Sequence, residues 1–366
     1  VAEGLPLRDE LRGAVPYGAP QLDVPVRLNT NENPYPPPPV VVAEAAEAVR
    51  EAVAGLNRYP DREAAALRAD LAAYLAADTG VRMDASRVWA ANGSNEVMLQ
   101  LLQAFAGPGR TAMSFEPTYS MYPEYARDSA TRWVAGVRAA DFTLPVDLAV
   151  EQVREHRPDV VLLASPNNPT GTALPPDVVA SLHDATTGLV VVDEAYGEFR
   201  RAGTPSAVSL LLGRPRLVVT RTMSKAFAFA GARLGYLAAD PAVVDTLRVV
   251  RLPYHLSALT QAAARVALRH AAELQQQVAT LRAARDDLVT WLRAQGFAVP
   301  DSDANFVLVG RFADRRAVWE GLLARGVLVR EVGPPEWLRV TVGTAQEMAA
   351  FRAALADVVA RQEASS

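Results

Sequence analysis

The chain has 366 residues, a formal net charge of -4 and a sequence pI near 5.7. No basic block stands out, so its charge gives no hint of nucleic acid. It has no cysteine, which excludes a disulfide framework and thiolate metal sites.

The four histidines, His156, His183, His255 and His270, lack a metal-ligand spacing and read as surface or packing residues. Val1 to Arg12 is mixed polar without an apolar stretch, and no apolar run reaches membrane-spanning length. The expectation is a cytoplasmic protein that touches neither membrane nor nucleic acid.

Residues 1–39 read as an irregular arm, with an Asn-rich patch from Leu28 to Pro34 and a stiff proline run from Pro36 to Pro39. Helices are expected over about 41–54 and 62–77, the second closed near Gly80. Short apolar runs then read as buried strands at 88–91, 111–115, 160–164, 189–192, 217–220 and 235–238, with helical stretches near 96–105, 146–156 and 176–185. Strands alternating with helices predict an α/β sheet, largely parallel and covered on both faces. A helical region over about 256–294, broken at least once, leads to strands near 306–309, 327–330 and 338–342 and a last helix over about 345–361. That part reads as a smaller α+β domain joined by the arm. The expected division is arm 1–39, large domain 40–265 and small domain 266–366.

One lysine, Lys225, stands against 36 arginines. Arg meets every general need for a cation, so Lys225 marks chemistry that Arg cannot do: its amine can lose a proton and attack a carbonyl. It sits in Thr222-Met223-Ser224-Lys225, with Arg233 following as a candidate phosphate ligand. Ser165-Pro166-Asn167-Asn168-Pro169-Thr170-Gly171 follows an apolar run, where ligands of open α/β sheets bind, and the Asn168 amide could meet a phenolate-like oxygen there. Asp193 ends the apolar run 190–192, a costly place for a carboxylate unless a cation pairs with it. A protonated ring nitrogen would be such a cation and would keep the ring an electron sink, with Tyr196 in reach of the same ring. Gly93-Ser94-Asn95 ends a strand and opens a helix, an ordinary N-cap that could also cradle a phosphate. Tyr119, after the next strand, could stack on a flat ring.

With these motifs in order, the chain resembles the fold type I pyridoxal-phosphate-dependent aminotransferases, and within them the histidinol-phosphate aminotransferase family in its actinobacterial form. The resemblance runs from Pro16-Tyr17-Gly18-Ala19-Pro20 to Leu338-Arg339-Val340-Thr341-Val342-Gly343 and rests on LNTNENPYP, NRYPDR, ANGSNE, PTYSMY, SPNNPTG, VVDEAYGEF, RTMSKAFAFAGARLGY, RLPYHLS and DANFVL. It implies a large domain with a mostly parallel mixed sheet flanked by helices, a smaller α+β domain, and pyridoxal 5'-phosphate as cofactor. Lys225 would be the Schiff-base lysine and proton carrier. Asp193 would pair with the pyridine nitrogen, Asn168 and Tyr196 would bind the phenolic oxygen, and Tyr119 would stack on the ring. Ser94, Asn95, Thr222, Ser224 and Arg233 would line the phosphate region. Tyr59 would reach the cofactor phosphate of a second subunit, which implies a homodimer. Tyr17, Asn95 and Tyr254 would line the substrate side, with Arg330 and Arg339 binding carboxylate or phosphate. The implied substrates are L-histidinol phosphate and 2-oxoglutarate or glutamate, exchanged in ping-pong order. Aromatic aminotransferases, threonine-phosphate decarboxylases and a non-catalytic cofactor-binding module share this scaffold. Tyr17, Asn95 and Tyr254 in their contexts favour the first implication over the aromatic enzymes. The Gly333-Pro334-Pro335-Glu336 loop departs from the family pattern.

Overall fold

The computed structural model describes residues 4–363; the Ser365-Ser366 tail lies outside them. Seven strands form the central sheet: β2 (Val88–Ala91), β3 (Thr111–Glu116), β4 (Arg132–Val137), β5 (Val160–Ala164), β6 (Leu189–Asp193), β7 (Leu217–Thr222) and β8 (Gly235–Ala238). Their order across the sheet is β2-β8-β7-β6-β5-β3-β4. β8 runs antiparallel to both neighbours and every other pairing is parallel. β5 and β6 are buried along their whole length, as a parallel sheet covered on both faces requires. Each fully buried Val or Leu there contributes about 1.5–3 kcal/mol.

The covering helices are α1 (Pro39–Val53), α2 (Ala65–Thr79), α3 (Ser94–Phe105), α4 (Tyr122–Asp128), α5 (Val146–His156), α6 (Pro176–Ala185), α7 (Pro241–Val250) and α8 (Ala258–Arg269). The sequence reading left α4, β4 and α7 unassigned. β4 is an edge strand with mixed burial, so its alternation is weak. α7 carries Val-rich text that reads equally as strand, although the Asp240 side chain accepts from the Ala242 N–H at 3.0 Å and Pro241 opens the helix.

The remainder comprises α9 (Ala271–Ala294), β9 (Phe306–Val309), α10 (Arg315–Leu323), β10 (Val327–Leu328), β11 (Leu338–Thr341) and α11 (Ala345–Glu363). β9 and β11 pair antiparallel. From the arm, β1 (Val26–Arg27) pairs parallel with β10. Leu28 N–H then donates to Leu328 O at 2.8 Å, and Thr341 N–H donates to Leu28 O at 3.0 Å. The arm is thereby stitched between β10 and β11 and delivers residues 29–32 to the C-terminal ends of the central strands. No helix among the described residues is long and apolar enough to cross a membrane.

Candidate active site

A cavity of about 450 Å³ opens at the C-terminal ends of the central parallel strands. Every residue that the family resemblance assigns to cofactor or substrate lines it except Tyr59 and Tyr254. β6 places Asp193 at its end, β7 places Thr222, and the turns after β5 and β3 carry Asn168 and Tyr119.

Asp193 is buried. Its described partners are neutral: Thr220 Oγ1 donates at 3.0 Å, Tyr122 Oη at 3.3 Å and the Ala195 N–H at 3.2 Å. Burial pushes its carboxyl up to about 6, against those hydrogen bonds. Lys225 Nζ donates to Thr30 O at 3.0 Å. Burial brings this amine down to about 8; Arg339 and Arg233 act in the same direction and Glu32 opposes. An amine with that pKa is available as a base near neutral pH.

One end of the cavity is lined by Ser94 and Asn95, the first residues of α3, together with Thr222, Ser224 and Arg233. Thr222 Oγ1 and Ser224 Oγ lie 2.9 Å apart, and Arg233 Nη1 donates to Ala230 O at 3.0 Å. Tyr125 Oη donates to Asn95 Oδ1 at 2.8 Å, which leaves the Asn95 amide nitrogen free to donate. Two glycines make this corner possible. A Cβ on Gly93, whose φ is +82°, would lie 2.6 Å from Arg233 Nη2, and one on Gly235 would lie 2.1 Å from Ser94 N. Any side chain at either place would push the helix start or the guanidinium out of the corner.

Arg339, in β11, is the buried cation opposite. Its Nη1 donates to Asn168 Oδ1 at 2.7 Å and its Nη2 to Asn29 O at 2.6 Å. Its Nε is buried with no partner among the described residues. No carboxylate neutralises it, so it is preorganised for an anion. Arg330 pairs with Arg339 through the backbone and its Nη2 donates to Gly18 O at 3.1 Å. Tyr17 reaches the rim, where its Oη accepts from Ser120 Oγ at 3.2 Å. Tyr119 meets Tyr122 edge-on, ring centres 5.5 Å apart. Gly333 of the unusual loop comes against Pro169, and the neighbouring Val332 lines the cavity.

Tyr254 is not among the residues that line the cavity of its own chain. Its ring stacks on Tyr59 at 4.3 Å, on the outer surface, where Tyr59 is 79% exposed. The sequence reading assigns no role to Asn29, Thr30, Asn31 or Thr220, which bond to site residues, or to Thr341, which bonds to Asn31. The LNTNENP string held the first three in plain sight, but what its carbonyls and amides touch lies 165–310 positions away in the chain.

The aminotransferase class I and II pattern matches residues 24–355, and the chain belongs to that class. Within the class it groups with the histidinol-phosphate aminotransferases. It is 65% identical to that of Thermobifida fusca (strain YX) over 98% of this chain and 97% of that protein. It is 58% identical to that of Mycolicibacterium smegmatis over 97% of this chain and 93% of that one. Among solved structures it resembles histidinol-phosphate aminotransferase from Sinorhizobium meliloti in complex with pyridoxal-5'-phosphate, with TM-score 0.83 and 25% identity, covering 93% of this chain and 92% of that one.

Proposed function

We propose that the protein is a cytoplasmic, pyridoxal-phosphate-dependent aminotransferase of histidine biosynthesis. It interconverts L-histidinol phosphate plus 2-oxoglutarate with imidazole-acetol phosphate plus L-glutamate. The observation that carries the reading is one cavity holding an amine at about 8, a buried carboxyl with only neutral partners and a buried guanidinium without a counter-ion. The residues fit the cofactor. Lys225 offers the amine, and Asp193 lacks the cation that a pyridine nitrogen would bring. Arg233, Thr222, Ser224 and the start of α3 offer phosphate donors in a corner that Gly93 and Gly235 keep open.

When bound, pyridoxal phosphate supplies an aldehyde that condenses with amines and a cationic ring that takes up the electron pair of a broken Cα–H bond. Lys225, whose amine is available as a base near neutral pH, would carry the proton taken from the substrate Cα. Asp193 would hold the ring-nitrogen proton, Asn168 and Tyr196 would donate to the phenolic oxygen, and Tyr119 would pack on the ring. Arg339 binds the carboxylate of glutamate or the phosphate ester, with Arg330, Tyr17 and Asn95 completing the substrate side.

Tyr59 and Tyr254 serve a second subunit. The stacked pair lies with Val53, Leu56, Val249 and Leu252, each at least half exposed, in the chain segments flanking it. In a homodimer this surface is covered and Tyr59 reaches the partner's cofactor phosphate. The chain divides into arm 1–39, a large unit and a small unit. The proposed boundary between the large unit, 40–265, and the small unit, 266–366, lies within α8, which packs on α1 and α2.

The test is a half-reaction. Holoenzyme without acceptor is mixed with L-histidinol phosphate or with L-phenylalanine, and the bound chromophore is followed. Fast conversion by histidinol phosphate and slow conversion by phenylalanine is expected. The reverse preference would replace the reading with an aromatic aminotransferase, and no conversion by either would replace it with a decarboxylase.

A further inference from the structure

We propose that Asn31 and Thr341 are positioning residues that fix the direction of the Tyr196 hydroxyl proton and aim it into the cavity. The inference rests on the reading of Tyr196 given above and adds how its single proton is kept available.

Asn31, Thr341 and Tyr196 are all buried, at 1%, 4% and 8% exposure, so each polar atom needs a partner. The Asn31 N–H donates to Thr341 Oγ1 at 3.1 Å. That contact makes the threonine oxygen an acceptor and leaves its own proton free to donate to Asn31 Oδ1, 2.8 Å away. With Oδ1 so occupied, the other end of the amide is Nδ2, which donates to Tyr196 Oη at 3.0 Å. An amide nitrogen cannot accept, so Tyr196 cannot spend its proton on Asn31.

The opposite amide orientation is worse. Thr341 Oγ1 would then accept from both the N–H and the amide of Asn31, and its own proton would be buried without a described acceptor. The relay therefore has one direction: from the arm backbone through Thr341 and Asn31 to Tyr196, and from Tyr196 into the cavity. Asn31 is suited to the place, because its φ is +57° and Asn tolerates the left-handed region better than most residues. Its carbonyl is held by Asn305 Nδ2 at 3.0 Å. The charged groups acting on this corner are Arg339 and Asp193 at Tyr196, and Arg339, Glu32 and Arg233 at Lys225; Thr341 and Asn31 carry no charge.

The same device recurs beside it. Arg339 is a donor only, so its 2.7 Å contact turns the Asn168 carbonyl away and presents the Asn168 amide nitrogen to the cavity. Two groups read as donors to one ring oxygen thus owe their polarity to the arm and to β11.

The experiment titrates the Lys225-linked chromophore spectroscopically in holoenzyme variants. A donor to the phenolic oxygen favours its deprotonated form, so losing the donor raises the chromophore pKa. Tyr196→Phe sets the scale. Thr341→Val frees the Asn31 amide to turn, and Asn31→Asp puts an acceptor where the donor stood. Both are expected to raise the pKa by about one pH unit, while Thr341→Ser keeps the wild-type value. Because Thr341→Val adds no charge, its shift separates the relay from simple electrostatics. Thr341→Ala likewise adds no charge and removes the same hydroxyl, so it carries the test if the valine variant fails to fold. Titration of both variants within about 0.3 unit of wild type, with Tyr196→Phe shifted, overturns the relay alone. Wild-type protein that forms no chromophore with pyridoxal phosphate overturns the cofactor reading itself.

Discussion

The two faces of the central sheet meet at consecutive residues and treat charge in opposite ways. Asp193, Thr220 and Thr222 serve the cavity side. Their neighbours Glu194 and Arg221 enter a closed ionic cluster, as strand alternation dictates. There Arg221 lies 2.9 Å from Glu194, 3.3 Å from Glu198 and 2.7 Å from Asp78. Ser206 Oγ donates to Glu194 at 2.7 Å, and Tyr74 Oη donates to Glu198 at 3.2 Å. On the cavity side, Lys225, Asp193 and Arg339 have no partner of opposite charge in hydrogen-bond contact, and burial moves each towards its neutral form. One face uses charges to hold the segment after β6 that carries Tyr196. The other leaves charges uncompensated so that a ligand can compensate them.

Three substitutions break this comparison in graded steps. Lys225→Ala has the largest expected effect on rate: the half-reaction should slow by at least about 10⁴-fold. Yet the apoprotein should unfold at an equal or higher temperature, because a desolvated amine is removed and no ion pair is lost. Stopped-flow absorbance and thermal unfolding read the two halves of that expectation.

Arg221→Ala does the opposite. It leaves buried Glu198 without an ion-pair partner among the described residues and Glu194 with Arg200 alone, and urea unfolding of the apoprotein should register a loss of about 3–5 kcal/mol. A loss no larger than that of an exposed arginine would mean that the cluster is not the brace described here.

Asp193→Asn sharpens the contrast through pH. The folded pKa of Asp193, about 6, lies above the ordinary aspartate value, so folded apoprotein binds the proton more tightly than unfolded chain. Its neutral form is fully favourable below pH ~4, and that contribution is lost as pH rises through 6. Wild-type apoprotein should therefore lose roughly 2–3 kcal/mol relative to Asp193→Asn between pH ~4 and ~7. Parallel stability profiles for the two proteins would remove the claim that Asp193 waits for a cation.

Much of this site was legible without coordinates because its chemistry sits in short strings at strand ends. A lone lysine among arginines, an Asp closing an apolar run and an Asn after another each announce themselves locally. The buried strands were legible for the same reason: runs such as 160–164 are apolar on both faces. Where the local signal was weak, as at the edge strand β4, the short α4 with Pro123 in its first turn, or α10 with its run of arginines and one Asp314 cap, the elements went unassigned.

The sequence by itself determined the inventory: one lysine amine, a carboxyl at a strand end and the amides and guanidinium groups of the cavity, and on which kind of element each rides. Only the tertiary structure decided how they face one another. Asn29, Thr30 and Asn31 bond to Arg339, Lys225 and Tyr196 because the arm is clamped between β10 and β11. Tyr59 and Tyr254 stack on each other, exposed, outside the lining of their own cavity. Side-chain chemistry is local and can be read along a chain, whereas hydrogen-bond direction and facing depend on partners that only folding brings within 3 Å.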